Sequence, residues 1–222
     1  MKVIFCTPSR VRPTDHYIKS LEDSIPLIVD AGWTEGWVQE LGCPYISSAR
    51  ATMTRKALDA KADVIVYIDD DLSWQPGALL KLLETPGDVV SGTYRFKKPE
   101  EQYMGCLICH PNGTPQVRDD GALKADRVPG GFLKVTAGAI EKFMTAYPEL
   151  MFGPKYAPSI DLFNHGAHKG TWYGEDYAFS RNWIDAGGDI WIVPDLNINH
   201  HSADEVFAGN FHQFMLNQPR PS

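Results

Sequence analysis

The sequence lacks any apolar run as long as the ~18 residues that a membrane-spanning helix needs, so we expect no membrane span. The apolar start of the chain is broken as early as Pro8, which argues against a signal peptide. An excess of basic charge is also missing, because 21 lysines and arginines face 28 aspartates and glutamates, for a formal net charge of -7. This balance argues against a nucleic-acid partner, although Arg95, Lys97, Lys98 and Lys124 keep a local basic patch open.

Cysteine is scarce, at four residues. Without a secretory signal, this number indicates reduced thiols and a cytoplasmic protein. Cys106 and Cys109 form a C-x-x-C that His110 follows directly. Structural zinc takes about four ligands, and no second C-x-x-C exists, so a strand that ends at the turn 111–113 is the favoured interpretation over half a zinc site.

Two nucleotide-binding motifs are absent as well. The sequence contains neither G-x-G-x-x-G nor G-x-x-x-x-G-K-[ST]. Their absence argues against dinucleotide-dependent oxidoreductases and P-loop NTPases.

What the sequence does contain is a regular alternation of strand and helix patterns in its first hundred residues. Apolar runs predict strands at 2–7, 36–41, 64–68 and 88–94, with helical patterns between them, the last over 77–84. This order predicts an α/β fold with a Rossmann-like, mostly parallel central sheet flanked by helices. After Phe96 the pattern becomes mixed. We therefore expect one domain over 1–222, with a first half at 1–100 and a mixed second half at 101–222.

Three aspartates, Asp69-Asp70-Asp71, follow the apolar run 64–68 directly. Ligands of open α/β sheets bind beyond the carboxyl ends of the strands, and carboxylates there suit a hard cation that bridges a diphosphate. Strand alternation places Asp69 and Asp71 on one side and Asp70 on the other. The alternative is a solvated acidic turn before the next helix.

Two later motifs also carry ionisable groups. Gly174-Glu175-Asp176 opens a predicted helix, and a carboxylate at a helix amino terminus stays ionised, which suits a base that takes a proton from a hydroxyl. Simple N-capping by Asp176 is the alternative. His200 and His201 end the last predicted strand. A neutral imidazole there suits a metal beside carboxylates, and only one of the two can face the site.

Further candidates lie at loops and helix faces near the same sheet edge. Arg50 precedes the triplet on a helix, where its guanidinium suits a phosphate. Lys98 belongs to the basic tail after the strand 88–94. Gly131 permits close approach of the backbone to a ligand, or marks a bulge. Thr7, Pro8 and Ser9 follow the first strand, where a nucleoside base would lie.

Taken in order, these motifs resemble those of the GT-A glycosyltransferases, in particular small family-2-like enzymes of bacteriophages and bacteria. The matching pieces span most of the chain and are Thr7-Pro8-Ser9-Arg10, Ser48-Ala49-Arg50, Asp69-Asp70-Asp71, Gly92-Thr93-Tyr94, Val128-Pro129-Gly130-Gly131-Phe132, Gly174-Glu175-Asp176-Tyr177-Ala178-Phe179 and His200. Two features depart from the family pattern. Ser202 stands where a glycine often follows the late histidine, and 102–126 matches no part of it.

The resemblance implies a nucleotide-diphosphate-sugar donor, with UDP as the expected carrier, and Mn²⁺ or Mg²⁺ as the cofactor. It also implies metal contacts from Asp69, Asp71 and His200, and a base at Asp176 beside Glu175. The expected donor contacts are Thr7, Pro8, Ser9, Arg10, Arg50, Asp69, Asp70, Lys98 and Gly131. The resemblance further implies that residues 1–100 form a donor-binding half and residues 101–222 an acceptor-side half.

The sequence therefore predicts a metal-dependent glycosyltransferase that transfers a sugar to an acceptor hydroxyl. The acceptor stays open between a saccharide, a protein, a small molecule and a hydroxymethylated base of phage DNA. The last of these would place the enzyme in the cytoplasm of an infected host. Two rival hypotheses are a nucleotidyltransferase and a non-catalytic nucleotide-sugar-binding module. The sequence does not indicate an oligomeric state.

Overall fold

The computed structural model of the chain describes residues 1–218. Strands and helices alternate in it where the sequence pattern alternates. The strands are β1 (Lys2–Ser9), β2 (Thr34–Leu41), β3 (Val64–Ile68), β4 (Leu72–Ser73), β5 (Val89–Ser91), β6 (Cys106–Leu107), β7 (Leu123–Arg127), β8 (Phe132–Thr136), β9 (Met151–Phe152), β10 (Ser159–Ile160), β11 (Gly166–His168), β12 (Thr171–Tyr173), β13 (Ile190–Ile192), β14 (Asn199–His201) and β15 (Val206–Phe207). The helices are α1 (Asp15–Asp30), α2 (Ile46–Asp59), α3 (Gly77–Glu84), α4 (Ala137–Ala146), α5 (Glu175–Asp185) and α6 (Phe211–Leu216), with a 3-10 turn at Pro148–Leu150.

The central sheet has eight strands in the order β2-β1-β3-β8-β5-β13-β7-β6. β1 runs parallel to β2 and β3, and β13 runs parallel to β5. β8 lies antiparallel between β3 and β5, and β7 is antiparallel to β13. The predicted α/β fold with a flanked central sheet is confirmed. The sheet is mixed, because strands of the second half are inserted among and beside those of the first half.

Helices cover both faces of this sheet, and β3 shows the consequence in its sequence. Ile65 and Tyr67 pack into one apolar cluster, with side chains of α2, α4 and α5. Val64, Val66 and Ile68 pack into the other cluster, with side chains of α1 and α3. All five residues of the strand are buried, which is why it is uniformly apolar rather than alternating.

The helices begin in different ways. Thr14 is the N-cap of α1, because its hydroxyl oxygen accepts a hydrogen bond from the backbone nitrogen of Tyr17 at 3.2 Å. α3 has the predicted bounds. α2 is preceded by Tyr45, which makes no side-chain cap hydrogen bond, and Ser47 and Ser48 lie within its first turn.

The second half of the chain supplies the rest of the sheet. Most of β7 lies in 102–126, the segment that departs from the family pattern, and β7 pairs with β6 and β13 at one side of the sheet. Residues 128–131 form a loop that leads into β8. Near the C-x-x-C, the backbone nitrogen of His110 bonds the carbonyl of Thr114 at 2.8 Å, which closes the turn predicted there. All four cysteine thiols are free.

The fold brings several chain segments to one edge of the sheet. The carboxyl ends of β1, β3 and β5 lie at this edge, since β1 and β3 are parallel and both β3 and β5 pair with β8. Phe132 at the start of β8 pairs with Ile68 at the end of β3, so the 128–131 loop reaches the same edge. Across residues 1–218, no helix combines the length and apolarity required to span a bilayer.

Candidate functional site

A cavity of about 260 Å³ opens at this edge of the sheet, beside the aspartate triplet. Its lining residues are Pro8, Ser9, Arg10, Cys43, Pro44, Ile46, Arg50, Asp69, Asp70, Asp71 and Glu175. Eight of these were singled out from the sequence. Cys43, Pro44 and Ile46 were not, because the loop before α2 carries no charged side chain that would have marked it as part of a site.

The three aspartates all border the cavity but have different partners. Strand geometry ends at Ile68, and the chain then turns, with the backbone nitrogen of Leu72 bonding the carbonyl of Asp69 at 3.3 Å. The expected strand alternation therefore does not extend through the triplet. The carboxylate of Asp69 pairs with Arg50 and that of Asp71 pairs with Lys97. Asp70 instead accepts hydrogen bonds at its backbone carbonyl, from the backbone nitrogen and the hydroxyl of Thr14.

Arg50 links the triplet to the helix that begins at Glu175. Its side chain is 1% exposed, and its guanidinium lies 2.9 Å from Asp69 Oδ1 and 3.2 Å from Glu175 Oε1. It also lies 4.7 Å from the centre of the Phe163 ring. Burial raises the pKa of Asp69 even though Arg50 opposes that shift. Because its guanidinium pairs with two carboxylates, this placement favours a role in positioning them over the predicted contact with a diphosphate.

Two glycines make this pairing sterically possible. A Cβ at Gly130 would lie 2.6 Å from Arg50 Nη1, and one at Gly131 would overlap the Asp69 carboxylate and the Tyr94 hydroxyl. The Gly131 carbonyl accepts a hydrogen bond from the Asp69 backbone nitrogen at 2.9 Å. Gly131 thus holds the Asp69 backbone through this hydrogen bond, and it does not line the cavity. The contact between Gly131 and the donor stays a prediction, and the position of Gly131 outside the cavity lining does not favour it.

A second ionic cluster surrounds Asp71. β14 pairs with β4, which follows the triplet directly, and this places His200 Nε2 3.6 Å from Asp71 Oδ2. His200 Nδ1 lies 2.8 Å from the carbonyl oxygen of Arg95. A carbonyl only accepts, so Nδ1 carries a proton, and Nε2 is the ring nitrogen directed at the Asp71 carboxylate. Burial of Asp71 opposes ionisation, but contacts with His200 and Lys97 outweigh it and lower the pKa.

Of the two adjacent histidines, only His200 faces the triplet. His201 is buried, and its Nε2 lies 2.8 Å from the hydroxyl oxygen of Ser73. Its ring stacks on that of His16, with the ring centres 4.4 Å apart. His201 therefore packs against α1 and β4, as the alternation of neighbouring strand residues requires.

The donor set around Asp71 fits a hard divalent cation. Asp71 Oδ2 and His200 Nε2 face each other, and a carboxylate oxygen and an imidazole nitrogen can both serve as ligands of a divalent cation. Fixing Nδ1 of a histidine on a carbonyl is also how proteins orient metal-binding imidazoles. No group of three or more histidine, cysteine, aspartate or glutamate side chains in the described part of the chain forms a metal cluster. A cation here would therefore have two protein ligands and leave positions for phosphate and water.

Asp69, which the family resemblance assigns to the metal as well, has other neighbours in this structure. One carboxylate oxygen pairs with Arg50, and the other lies 3.4 Å from the Tyr94 hydroxyl. Tyr94 belongs to the Gly92-Thr93-Tyr94 piece of the family resemblance, but the sequence assigned it no contact of its own. The contact of its hydroxyl with Asp69 depends on the fold, which brings the end of β5 beside the triplet.

Glu175 and Asp176 occupy the first turn of α5, where Gly174 is the N-cap and makes no side-chain hydrogen bond. Asp176 Oδ1 accepts a hydrogen bond from the backbone nitrogen of Tyr177 at 2.8 Å. Burial, and next the charge of Glu175, raise the pKa of Asp176 to about 6. A carboxylate with that pKa is largely ionised at neutral pH and is a stronger base than an ordinary aspartate.

Two further predicted donor contacts lie apart from the cavity. Thr7 is fully buried, and its hydroxyl contacts the Tyr17 hydroxyl and the Trp37 indole nitrogen, so it is not available to a ligand. Lys98 contacts Gln102, with its ammonium 5.1 Å from the centre of the Phe96 ring. The lysine that reaches the triplet is its neighbour Lys97. The backbone bends at Lys97 and Lys98, so the two side chains take different directions.

Comparison with known proteins supports the fold. No protein-family model matches the chain, and no curated protein sequence is significantly similar to it. Among solved structures, the chain resembles GalNAc-T7 crystallised with UDP, GalNAc and Mn²⁺, at a TM-score of 0.50 and 9% identity over 87% of this chain and 42% of that one. It also resembles the Drosophila β1,4-galactosyltransferase 7 catalytic domain crystallised with xylobiose, at a TM-score of 0.50 and 13% identity over 100% of this chain and 74% of that one.

These similarities define the class of fold. Both structures are GT-A glycosyltransferases, and the α/β chain with its large mixed sheet matches them. The chain spans less than half the length of the GalNAc-T7 structure. At 9% and 13% identity, the likeness shows the GT-A fold and leaves activity to be argued from the site.

Proposed function

We propose that this protein is a metal-dependent glycosyltransferase, which transfers a sugar from a nucleotide-diphosphate-sugar to an acceptor hydroxyl. One observation supports this function most strongly. His200, fixed by the Arg95 carbonyl, faces Asp71 at 3.6 Å beside a cavity at the carboxyl ends of the parallel strands. We assign this pair as a two-ligand cation site, at the edge where α/β sheets bind nucleotides.

Mn²⁺ or Mg²⁺, when bound, would offset the negative charge that builds on the departing nucleoside diphosphate. Asp71 and His200 are the residues that would hold the cation. Lys97, which contacts Asp71, would add a positive charge on the same side. Pro8, Ser9, Arg10 and the Asp70 carboxylate line the rest of the cavity, and we assign them to the nucleoside and ribose of the donor.

Asp176 is the proposed base. Its raised pKa of about 6 leaves it ionised at neutral pH, and it belongs to the first turn of α5, whose Glu175 lines the cavity. Arg50 is a positioning residue in this scheme. It pairs with Glu175, the neighbour of the proposed base, and with Asp69 of the triplet, which would set the place of the base relative to the donor.

UDP-sugar is the donor that we expect. The support is the resemblance to GalNAc-T7, whose structure contains UDP and Mn²⁺. The acidic net charge of -7 disfavours a DNA acceptor. A hydroxymethylated DNA base is therefore kept only as the alternative acceptor.

The proposed function is tested by product analysis on the whole chain. The protein is incubated with UDP-glucose, UDP-galactose, UDP-N-acetylglucosamine, UDP-xylose or GDP-mannose, with Mn²⁺ or with excess EDTA. We expect slow release of free nucleoside diphosphate from one donor, with Mn²⁺ only. Pyrophosphate release from sugar phosphate and nucleoside triphosphate would instead identify a nucleotidyltransferase. Binding of a donor without any turnover in the presence of acceptors would identify a binding module.

A further inference from the structure

A second cavity, of about 280 Å³, lies against the outer face of α5. Its walls come from the end of β7, from Tyr173 of β12 and from α5 itself. The ionisable and aromatic residues that line it are Asp126, Arg127, Tyr173, Tyr177, Arg181 and Asp185. We call this cavity the α5 cleft. None of its residues belongs to the proposed donor site.

The α5 cleft and the donor cavity flank the same helical turn. Glu175 lines the donor cavity, and Tyr177 lines the α5 cleft. Each residue of an α-helix advances about 100° around the axis, so these two side chains leave the helix about 200° apart. Asp176 lies between them, roughly opposite the buried Ala178. A molecule in the α5 cleft therefore borders the turn that carries the proposed base.

The lining of the cleft combines stacking surfaces with both kinds of hydrogen-bonding group. The Arg127 guanidinium lies 5.2 Å from the Tyr177 ring centre, and that of Arg181 lies 4.5 Å from the Tyr173 ring centre. Arginine only donates hydrogen bonds, and an ionised aspartate only accepts them. A hydroxyl does both, so a polyol can satisfy the arginines and the aspartates at once.

The charge of the lining also limits the ligand. Two arginines and two aspartates balance each other, and Arg127 already pairs with Asp126 at 3.1 Å. A phosphate backbone would meet the two carboxylates as well as the two guanidinium groups. A neutral molecule with many hydroxyls and apolar C–H faces that can stack on tyrosine fits this surface better, and sugars have both features.

We propose that the α5 cleft is the acceptor subsite and that it takes a neutral saccharide. This inference rests on the proposed function. A hydroxyl of the saccharide would lose its proton to Asp176, and its oxygen would form the new bond to the anomeric carbon of the donor. The bond from that carbon to the diphosphate oxygen breaks, and its electron pair leaves with the nucleoside diphosphate.

The test is saturation-transfer NMR on the whole chain, with glucose, galactose, xylose and N-acetylglucosamine, and with cellobiose, lactose, xylobiose and chitobiose as probes. We expect binding of at least one disaccharide. Its affinity should fall about tenfold in Arg181→Ala and in Tyr177→Ala, the effect of losing one or two good contacts. Arg12→Ala and Tyr156→Ala, on exposed side chains elsewhere, are matched controls and should bind as the wild type does.

Asp185→Asn, a change of charge without a change of size at the end of α5, provides a variant that should fold normally and still weaken binding. Absence of binding by every probe would overturn the proposal, as would wild-type affinity in both Arg181→Ala and Asp185→Asn. Binding of an oligonucleotide with 5-hydroxymethylcytosine, lost in the same variants, would overturn the saccharide assignment.

Calorimetry with UDP-sugars and Mn²⁺ separates this inference from the proposed function. Saccharide binding without donor binding would contradict the glycosyltransferase and leave the α5 cleft as a sugar site. Donor turnover in a protein that binds no saccharide at the α5 cleft would contradict the assignment of the cleft and leave the proposed function standing.

Discussion

The two cavities that flank the first turn of α5 differ in how their charges are held. On the donor side, Arg50 is 1% exposed and pairs with carboxylates of two separate elements. In the α5 cleft, the pair of Arg127 and Asp126 is 42% and 51% exposed. Exposed ion pairs contribute about 0–1 kcal/mol and are easily exchanged for other contacts, whereas a buried pair that loses one partner costs several kcal/mol. The donor side is thus preorganised, and the acceptor side can exchange its own contacts for those of a ligand.

The largest expected effect on activity comes from changing Asp71, the member of the triplet that faces His200. Asp71→Asn should lower kcat/KM for sugar transfer by about a thousandfold, because a metal contributes several kcal/mol to stabilising the leaving group. Steady-state kinetics over a range of Mn²⁺ concentrations measures it. Asp70→Asn, which changes the middle carboxylate of the triplet, is the matched control and should lose much less. Equal losses in both variants would contradict the distinction between the two aspartates.

Removing the buried charge of Arg50 should come next. Arg50→Met keeps most of the side-chain volume but leaves Asp69 and Glu175 without their counter-charge, so we expect a loss of about 3 kcal/mol in the free energy of unfolding. Urea denaturation at pH 7 measures it. Arg12→Met, which breaks a pair whose side chains are 74% and 84% exposed, should cause no measurable change.

A combined variant sharpens the Arg50 prediction. Arg50→Met with Asp69→Asn and Glu175→Gln removes all three charges, and it should recover most of the lost stability while staying inactive. If Arg50→Met alone is as stable as the wild type, the donor side is not preorganised by this pairing.

Asp176 lies in the helical turn between the two cavities, and its protonation should control the rate. Its pKa is raised to about 6, so the base form is lost as the pH falls through that value, and kcat/KM should then fall about tenfold per pH unit. Glu175, Arg50 and Asp69 are the other charges that act on it. Asp176→Asn should lower the rate at least about a hundredfold and abolish this pH dependence. A wild-type profile that is flat between pH 5 and 7 would contradict the assignment.

The raised pKa of Asp176 also predicts how stability changes with pH. Ionisation of Asp176 raises the rate but lowers the stability of the fold. An acid whose pKa is higher in the folded state favours folding in its protonated form, so ionising Asp176 lowers stability as the pH rises from about 4 to about 6. Above pH 6, Asp176→Asn should therefore melt at a higher temperature than the wild type. A role limited to capping the helix would give a lower melting temperature instead.

The smallest expected effect distinguishes two adjacent lysines. Lys97 contacts Asp71, whereas Lys98 contacts Gln102. Lys97→Ala should raise the KM for the donor about fivefold, as expected for one exposed charge near a phosphate. Lys98→Ala should leave that KM unchanged. The reverse result would support the choice of Lys98 made from the sequence.

The fold was predictable where local pattern decides it. The buried strand Val64–Ile68 and the helix Gly77–Glu84 have the bounds that their apolar residues indicate. The insertion of β8 between β3 and β5 was not predictable, because strand order depends on contacts between distant segments. β7 was missed because only some of its residues are apolar and its neighbour β6 has two residues.

For the site, the sequence identified residue types more reliably than their partners. Eight of the residues in the donor cavity were selected from motifs, whereas the pairing of Arg50 with Glu175 joins positions 125 residues apart and left no local signal. Alternation failed at the triplet because the strand ends one residue before it. It succeeded for the two histidines, which do lie in a strand, and His200 alone faces Asp71.

The central claim is that Asp71 and His200 hold the cation beneath the donor diphosphate, and pulsed electron paramagnetic resonance of Mn²⁺ tests it most directly. With UDP present, we predict a nitrogen coupling from a histidine on the bound Mn²⁺ in the wild type and in His201→Gln, and its loss in His200→Ala. UDP-dependent Mn²⁺ binding without any nitrogen coupling in the wild type, or with a coupling that survives in His200→Ala, would contradict the claim.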